Sequence, residues 1–224
     1  MLNLWLETIG TIIANSIQFL LIPVIWWHIF YRKKQSLNEF IGLTSPKLNS
    51  IWLLLGFVVI YFIFLQIDFV TFFEKLSGTD AVVMDEIMVE LSGNEAMQTN
   101  TFVGIGFAAL LPAFFHTFIA NGLCEEVFFR GFVLKRFQKL LGTWAAIIIA
   151  GALFSILHNV MFLIVGIEIS FLHHLGMFVA ITIGGILFGV LNEIVFNGKS
   201  VLPSVLLHGL ANFLVTVKAI ISYY

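Results

Sequence analysis

Charge is scarce in this 224-residue sequence: Lys, Arg, Asp and Glu make up 11% of it, where a soluble protein carries about 25%. That scarcity excludes a water-soluble enzyme and a disordered tail. Basic residues are in no excess either, and the formal net charge of −2 offers no footprint for nucleic acid as a partner. The single cysteine, Cys124, excludes a disulfide framework and a cysteine-only metal centre. Internal repeats, low-complexity segments and dividing linkers are also missing, so residues 1–224 read as one domain. What the sequence has instead is apolar surface. Its residues are 60% hydrophobic, 25 of them phenylalanine, and the mean hydropathy is +1.03. One soluble core cannot hide that much, and the reading is an integral membrane protein whose first partner is the lipid bilayer.

A bilayer core about 30 Å thick takes roughly 20 apolar residues per helix. Six stretches qualify, at about 8–30, 51–73, 101–123, 143–165, 175–196 and 201–222. They are continuously apolar rather than alternating, which argues against membrane strands. The expected fold is therefore an all-α, polytopic membrane bundle of about six helices. The stretch Met1 to Glu7 holds no Lys or Arg, and no small-residue cleavage site follows the first apolar run, so the first span is expected to stay rather than be removed as a signal peptide.

Orientation follows from basic residues. Arg32, Lys33, Lys34, Lys47, Arg130, Lys135, Arg136, Lys139 and Lys199 fall on one side, and only Lys75 and Lys218 on the other. The first side is expected to be cytoplasmic, with both termini outside. The acidic stretch Glu74 to Asn100 then forms an outer loop, in which residues 85–91 could make an amphipathic surface helix. A bacterial plasma membrane is the expected location.

Ionisable groups inside a span are functional-site candidates by default. Asp68 and His28 lie near span ends, where snorkelling satisfies them. His116 reads as a packing residue bonded to a neighbouring helix, and Glu193 reads either way. Three spaced clusters remain. In Glu125-Glu126-Val127-Phe128-Phe129-Arg130, Glu126 and Arg130 are i,i+4 neighbours that can pair, while Glu125 points about 100° away with its carboxylate free. Phe154 and His158 stand one turn apart in span four, and His208 and Asn212 one turn apart in span six. Alone, the first could be a charged helix end at the membrane surface, the second a packing histidine and the third helix-to-helix glue, but all three together are better explained by one shared polar site.

Two histidines and a carboxylate are hydrolase ingredients. A glutamate in apolar surroundings can take a proton from water at neutral pH, and a histidine can orient that water. Asn and His donors can hold the negative oxygen of a tetrahedral intermediate. The same Glu125, His158 and His208 could instead bind Zn2+ with an open position for water, although the His-Glu-x-x-His helix of many zinc proteases is absent. No Ser or Cys sits as a nucleophile beside a base, and Cys124 reads as packing. Depth along the spans does not close. At about 1.5 Å per residue, His208 lies roughly 10 Å inside its span and His158 about 22 Å, while Glu125 falls near a span end. A kink at Pro112 or a later start of span four would reconcile them.

The ordered trio Glu-Glu-x-x-x-Arg, Phe-x-x-x-His and His-x-x-x-Asn resembles the CPBP family of intramembrane proteases, which includes the CAAX prenyl proteases and the bacterial Abi proteins of bacteriocin processing or immunity. The glycine-rich Gly184 to Leu191 and the closing Pro203 to Asn212 resemble it too. The likeness covers a core of residues 121–213, and residues 1–100 form variable N-terminal spans and the acidic loop. It implies an intramembrane endopeptidase acting on a membrane-associated peptide or protein. Carried over, Glu125 and His158 activate water, Glu126 and Arg130 support the site, and His208 and Asn212 bind the oxyanion or help bind metal. The resemblance leaves open a zinc-dependent or a glutamate-dependent mechanism, and whether the substrate is prenylated. The site is expected to open toward the cytoplasmic half. The alternatives are a non-enzymatic immunity or scaffold protein binding a peptide in the same cavity, and a transporter. The apolar outer halves of spans five and six argue against the transporter. Oligomeric state is not encoded legibly, since Gly185 and Gly189 suit packing within the bundle as well as between copies.

Overall fold

The computed structural model describes residues 2–46, 51–76, 102–165 and 169–222. Among these the protein is helical, with no strand: α1 (Leu2–Phe30), α2 (Leu37–Phe40), α3 (Ile51–Phe64), α4 (Phe69–Leu76), α5 (Gly106–Leu141), α6 (Thr143–Val165), α7 (Phe171–Val195) and α8 (Leu202–Ser222). Six stretches are long and apolar enough to cross a membrane, α3 and α4 together making one of them. Helices suit such runs because each backbone polar group is satisfied within its own segment, away from water. The outer faces are aliphatic. On α1, Ile13, Ile17, Leu21 and Ile25 are all exposed, as lipid-facing positions require. The proposed surface helix at 85–91 lies outside the described residues.

The main departure from the expected spans is α5. The sequence suggested an end near residue 123, because Glu125, Glu126 and Arg130 read as a charged helix terminus. Instead the helix continues to Leu141, and Glu126 and Arg130 neutralise one another inside it. Two of its stretches, His116–Leu123 and Val127–Leu134, are wound with wider i→i+5 turns and flank an α-helical Cys124–Glu126. Such widened turns are frequent at functional sites.

This length resolves the depth conflict without a kink at Pro112 or a displaced α6, which starts at Thr143 as drawn. Sixteen residues separate Glu125 from Leu141, or about 24 Å, which matches the depth of His158 in α6. His208 is close to the start of α8 because α8 itself begins inside the bundle. The segment after α1 folds back under α5. Ser36 and Glu39 form a capping box for α2, and Ile41 then presses against Gly131, where an added Cβ would clash with the Ile41 carbonyl oxygen. Gly42, at φ 75°, accepts a hydrogen bond from the Val201 amide (2.9 Å) and so fixes the entry to α8. Phe40, Ile41, Val127, Phe132, Val201 and Val205 form the core of this wedge.

Packing of α6 on α7 depends on small residues. A Cβ on Gly185 would approach the Gly151 Cα to 2.8 Å, and one on Gly189 would meet Ile147 at 3.0 Å. The Gly185/Gly189 face is therefore used within the bundle. Three of the basic residues expected on one side lie together, with Arg136 over the rings of Tyr31, Phe40 and Phe132 and Lys34 and Lys139 over Tyr31, whereas Arg130, expected with them, is buried inside the bundle. Lys135 pairs with Glu193 (2.6 Å) and donates to the Gly198 carbonyl, which gives Glu193 a structural role. At the opposite end α7 starts four residues earlier than expected. This brings in a buried His173–Glu74 pair (2.8 Å) and a His174–Asn159 contact (3.0 Å), so that end of α7 is not wholly apolar.

Candidate active site

Glu125, His158, His208 and Asn212, from α5, α6 and α8, line one cavity of about 410 Å3. The three sequence clusters therefore do meet. The rest of the lining is largely aromatic and aliphatic and includes Tyr61, Phe64, Ile67, Ile181 and Phe188, a setting in which a few convergent polar groups mark a ligand site.

Glu126 and Arg130 lie behind the lining and do not reach the cavity themselves. Both side chains are fully buried, and Arg130 donates to Glu126 Oε1 at 2.8 Å. A second Arg130 bond reaches the Gly185 carbonyl at 2.9 Å. The guanidinium lies 4.7 Å from the Phe154 ring centroid and 5.1 Å from that of Phe188, so the cation is packed against two aromatic rings. Glu126 Oε1 also accepts from His208 Nδ1 at 3.1 Å. His208 stacks on Phe188 with centroids 5.2 Å apart and planes 25° from parallel. These contacts fix the imidazole and turn its Nε2 toward the cavity.

His158 is oriented by its own helix. Its Nδ1 lies 2.8 Å from the Phe154 carbonyl oxygen one turn earlier, an atom that can only accept, so Nδ1 donates and Nε2 is the nitrogen turned toward Glu125. The Phe154 ring packs on it at 4.4 Å. This explains the Phe-x-x-x-His spacing: the aromatic shields the imidazole while its backbone sets the tautomer.

Glu125 stands between the two histidines. Its Oε2 is 3.9 Å from His158 Nε2 and 4.0 Å from His208 Nε2, and it is buried without a hydrogen-bond partner among the described residues. Those gaps are too long for direct hydrogen bonds and suit one water molecule shared between carboxylate and imidazoles. The zinc alternative fits less well, since no group of three His, Cys, Asp or Glu among the described residues has the spacing to hold a metal ion. Glu125, His158 and His208 thus converge without direct hydrogen bonds among them.

Cys124 is buried beside Ser16 at 3.7 Å and does not line the cavity, in agreement with a packing role. His116 packs edge-on against Phe102, with centroids 5.5 Å apart, and is likewise outside the cavity. Sequence reasoning missed Tyr61 and Asn121, which share the lining. Tyr61 stacks on Phe188 at 5.0 Å and comes from α3, more than sixty residues before the motifs. Asn121 sits one turn before Glu125 on α5, and that spacing was its only signal.

Residues 107–214 match the family model described as Rce1-like, type II CAAX prenyl endopeptidase. The match encloses the whole stretch from Asn121 to Phe213 that carries the motifs. No curated protein and no solved structure matches the chain.

Proposed function

Taking residues 107–214 as a segment of that protease family, we propose that the protein is a multi-pass membrane endopeptidase in which Glu125 and His158 activate water. The observation that carries this reading is the unpartnered, buried Glu125 Oε2 poised about equally between two imidazole Nε2 atoms. A water held there donates one proton to the carboxylate and points a lone pair at a substrate carbonyl lying in the cavity. His158, with its proton committed to the Phe154 carbonyl, accepts the second hydrogen bond of that water. Attack forms the C–O bond and moves the carbonyl π electrons onto oxygen. The resulting oxyanion faces His208 and Asn212.

His208 is suited to that role by Glu126. With Nδ1–H held on the Glu126 carboxylate, Nε2 is the ring nitrogen that faces the oxyanion, and the Asn212 carboxamide supplies a further donor. Collapse of the intermediate breaks the C–N bond, and the departing nitrogen takes the proton that Glu125 holds. The products are an amine and a carboxylic acid, whose proton passes through the His158 Nε2 to solvent to leave a carboxylate, and the net consumption is one water. Arg130 takes no part in the chemistry; it keeps Glu126 ionised and in place. The basic end of the bundle would lie in the cytoplasm, with the cavity opening toward that half, and the substrates would be membrane-associated peptides such as CAAX-type C-termini.

Reconstitution tests this. Vesicles containing the purified chain are incubated with peptides ending in a prenylated cysteine and three further residues, and with their unprenylated counterparts. Cleavage by wild type that falls at least a hundredfold in Glu125→Gln supports the mechanism. Cleavage by Glu125→Gln at the wild-type rate overturns it.

A further inference from the structure

A second pocket touches the same glutamate from the other side. Between α1, α5 and α6 lies a cavity of about 140 Å3 lined by Asn15, Gln18, Phe19, Leu157 and Met161, and it shares Glu125 and His158 with the larger cavity. His208 and Asn212 line the larger cavity only. The pair that handles protons therefore has space on both sides, whereas the oxyanion donors stand on one.

Gln18 is the telling residue. It sits near the middle of α1, among exposed Ile13, Ile17, Leu21 and Ile22, and its own side chain is exposed. Its carboxamide makes no hydrogen bond among the described residues, whereas Asn15 one turn away donates to the Ala120 carbonyl at 2.9 Å and to Asn121 at 3.4 Å. An amide without a partner in hydrocarbon costs several kcal/mol on the harsher transfer scales, and a helix needing only to face lipid would carry an aliphatic residue there. The two donors and one acceptor of Gln18 match a peptide main chain, which offers one of each per residue. Gln18 and Asn15 also lie outside the matched residues 107–214, so the family match does not account for them.

We propose that this pocket is the leaving-group subsite, binding the main chain of the residue on the C-terminal side of the scissile bond through Gln18. The assignment rests on the proteolytic reading above and follows from the chemistry of the bond. The attacked carbonyl must aim its oxygen at His208 and Asn212, so the acyl residue occupies the larger cavity. The departing nitrogen must receive its proton from Glu125, so the chain beyond it runs to the far side of that carboxylate. A volume of about 140 Å3 corresponds to about five waters, which admits a residue of modest size, with Met161 and Leu157 setting the limit.

The test maps new protein and peptide termini in source-cell membranes carrying wild type, Glu125→Gln, Gln18→Leu or Met161→Trp, at matched abundance. Leucine at a lipid-facing position is no burden to a membrane helix, so lost activity in Gln18→Leu is not lost folding. The expected result is that Glu125-dependent cleavages slow about tenfold at limiting substrate in Gln18→Leu, the size of one lost hydrogen bond. Met161→Trp is expected to restrict residue size on the C-terminal side of the cut alone. Glu125-dependent termini unchanged in both variants, or altered only on the N-terminal side, overturn the subsite and leave the protease reading intact. Absence of any Glu125-dependent terminus overturns both.

Discussion

Replacing Arg130 by methionine removes the cation from a pair in which neither side chain touches solvent. Glu126 would then keep a buried negative charge with only the neutral Ser204 hydroxyl and the His208 Nδ1–H beside it. Breaking one side of such a pair costs about 3–5 kcal/mol, whereas replacing both members by groups of similar shape is often close to neutral. Arg130→Met is thus expected to lower stability by about 3–5 kcal/mol. The double variant Glu126→Gln/Arg130→Met should regain at least about 2 kcal/mol of that loss. Methionine follows much of the arginine's path between Phe154 and Phe188, so the change in packing is modest. Activity should not return with stability, because the double variant still lacks the carboxylate that orients His208. The assay is denaturant unfolding in mixed micelles alongside peptide cleavage. An Arg130→Met protein within about 1 kcal/mol of wild type would refute the reasoning. So would a double variant no more stable than the single one.

Further outcomes follow from other contacts. His158→Gln should lower kcat by about 10²–10⁴, the usual contribution of a group that handles a catalytic proton, with unfolding unchanged; single-turnover cleavage measures it. Asn212→Ala should cost about 10²–10³ in kcat with little change in KM, as loss of an oxyanion donor does. Gly185→Ala places a methyl 2.8 Å from the Gly151 Cα and 3.1 Å from an Arg130 nitrogen. It should lower stability by about 1–3 kcal/mol and reduce activity, as read from melting and cleavage together. Prolonged chelation should leave cleavage within about twofold of untreated enzyme; loss that added zinc restores would show that a metal takes part.

Much of this architecture was legible because a bilayer allows few solutions. Continuous apolar runs gave six spans, and α3 with α4, α6, α7 and α8 lie within about four residues of them, while α1 starts six residues before its expected position. The third span failed for a specific reason. Charge in a sequence reads as contact with water, but Glu126 and Arg130 satisfy one another across one turn, and the helix carries them through the interior. The Phe154 to His158 and His208 to Asn212 spacings were visible because helical neighbours are local. What stayed hidden was long-range. The His173–Glu74 pair joins residues 99 positions apart, and the Lys135–Glu193 pair joins residues 58 apart. Tyr61 and Gln18 reach the site from segments with no motif around them. The wedge of residues 36–46 that raises the start of α8 also had no sequence signal beyond the Ser36–Glu39 capping box.

The most direct test of the central claim is terminus mapping in source membranes carrying wild type or Glu125→Gln, with both proteins present in equal amount. The two side chains are nearly isosteric, so the comparison removes the proton acceptor and little else. The account predicts at least one new terminus that appears with wild type and is absent with Glu125→Gln. Identical termini in the two membranes, with the wild-type phenotype preserved, would contradict it and leave the cavity as a binding site for a peptide partner.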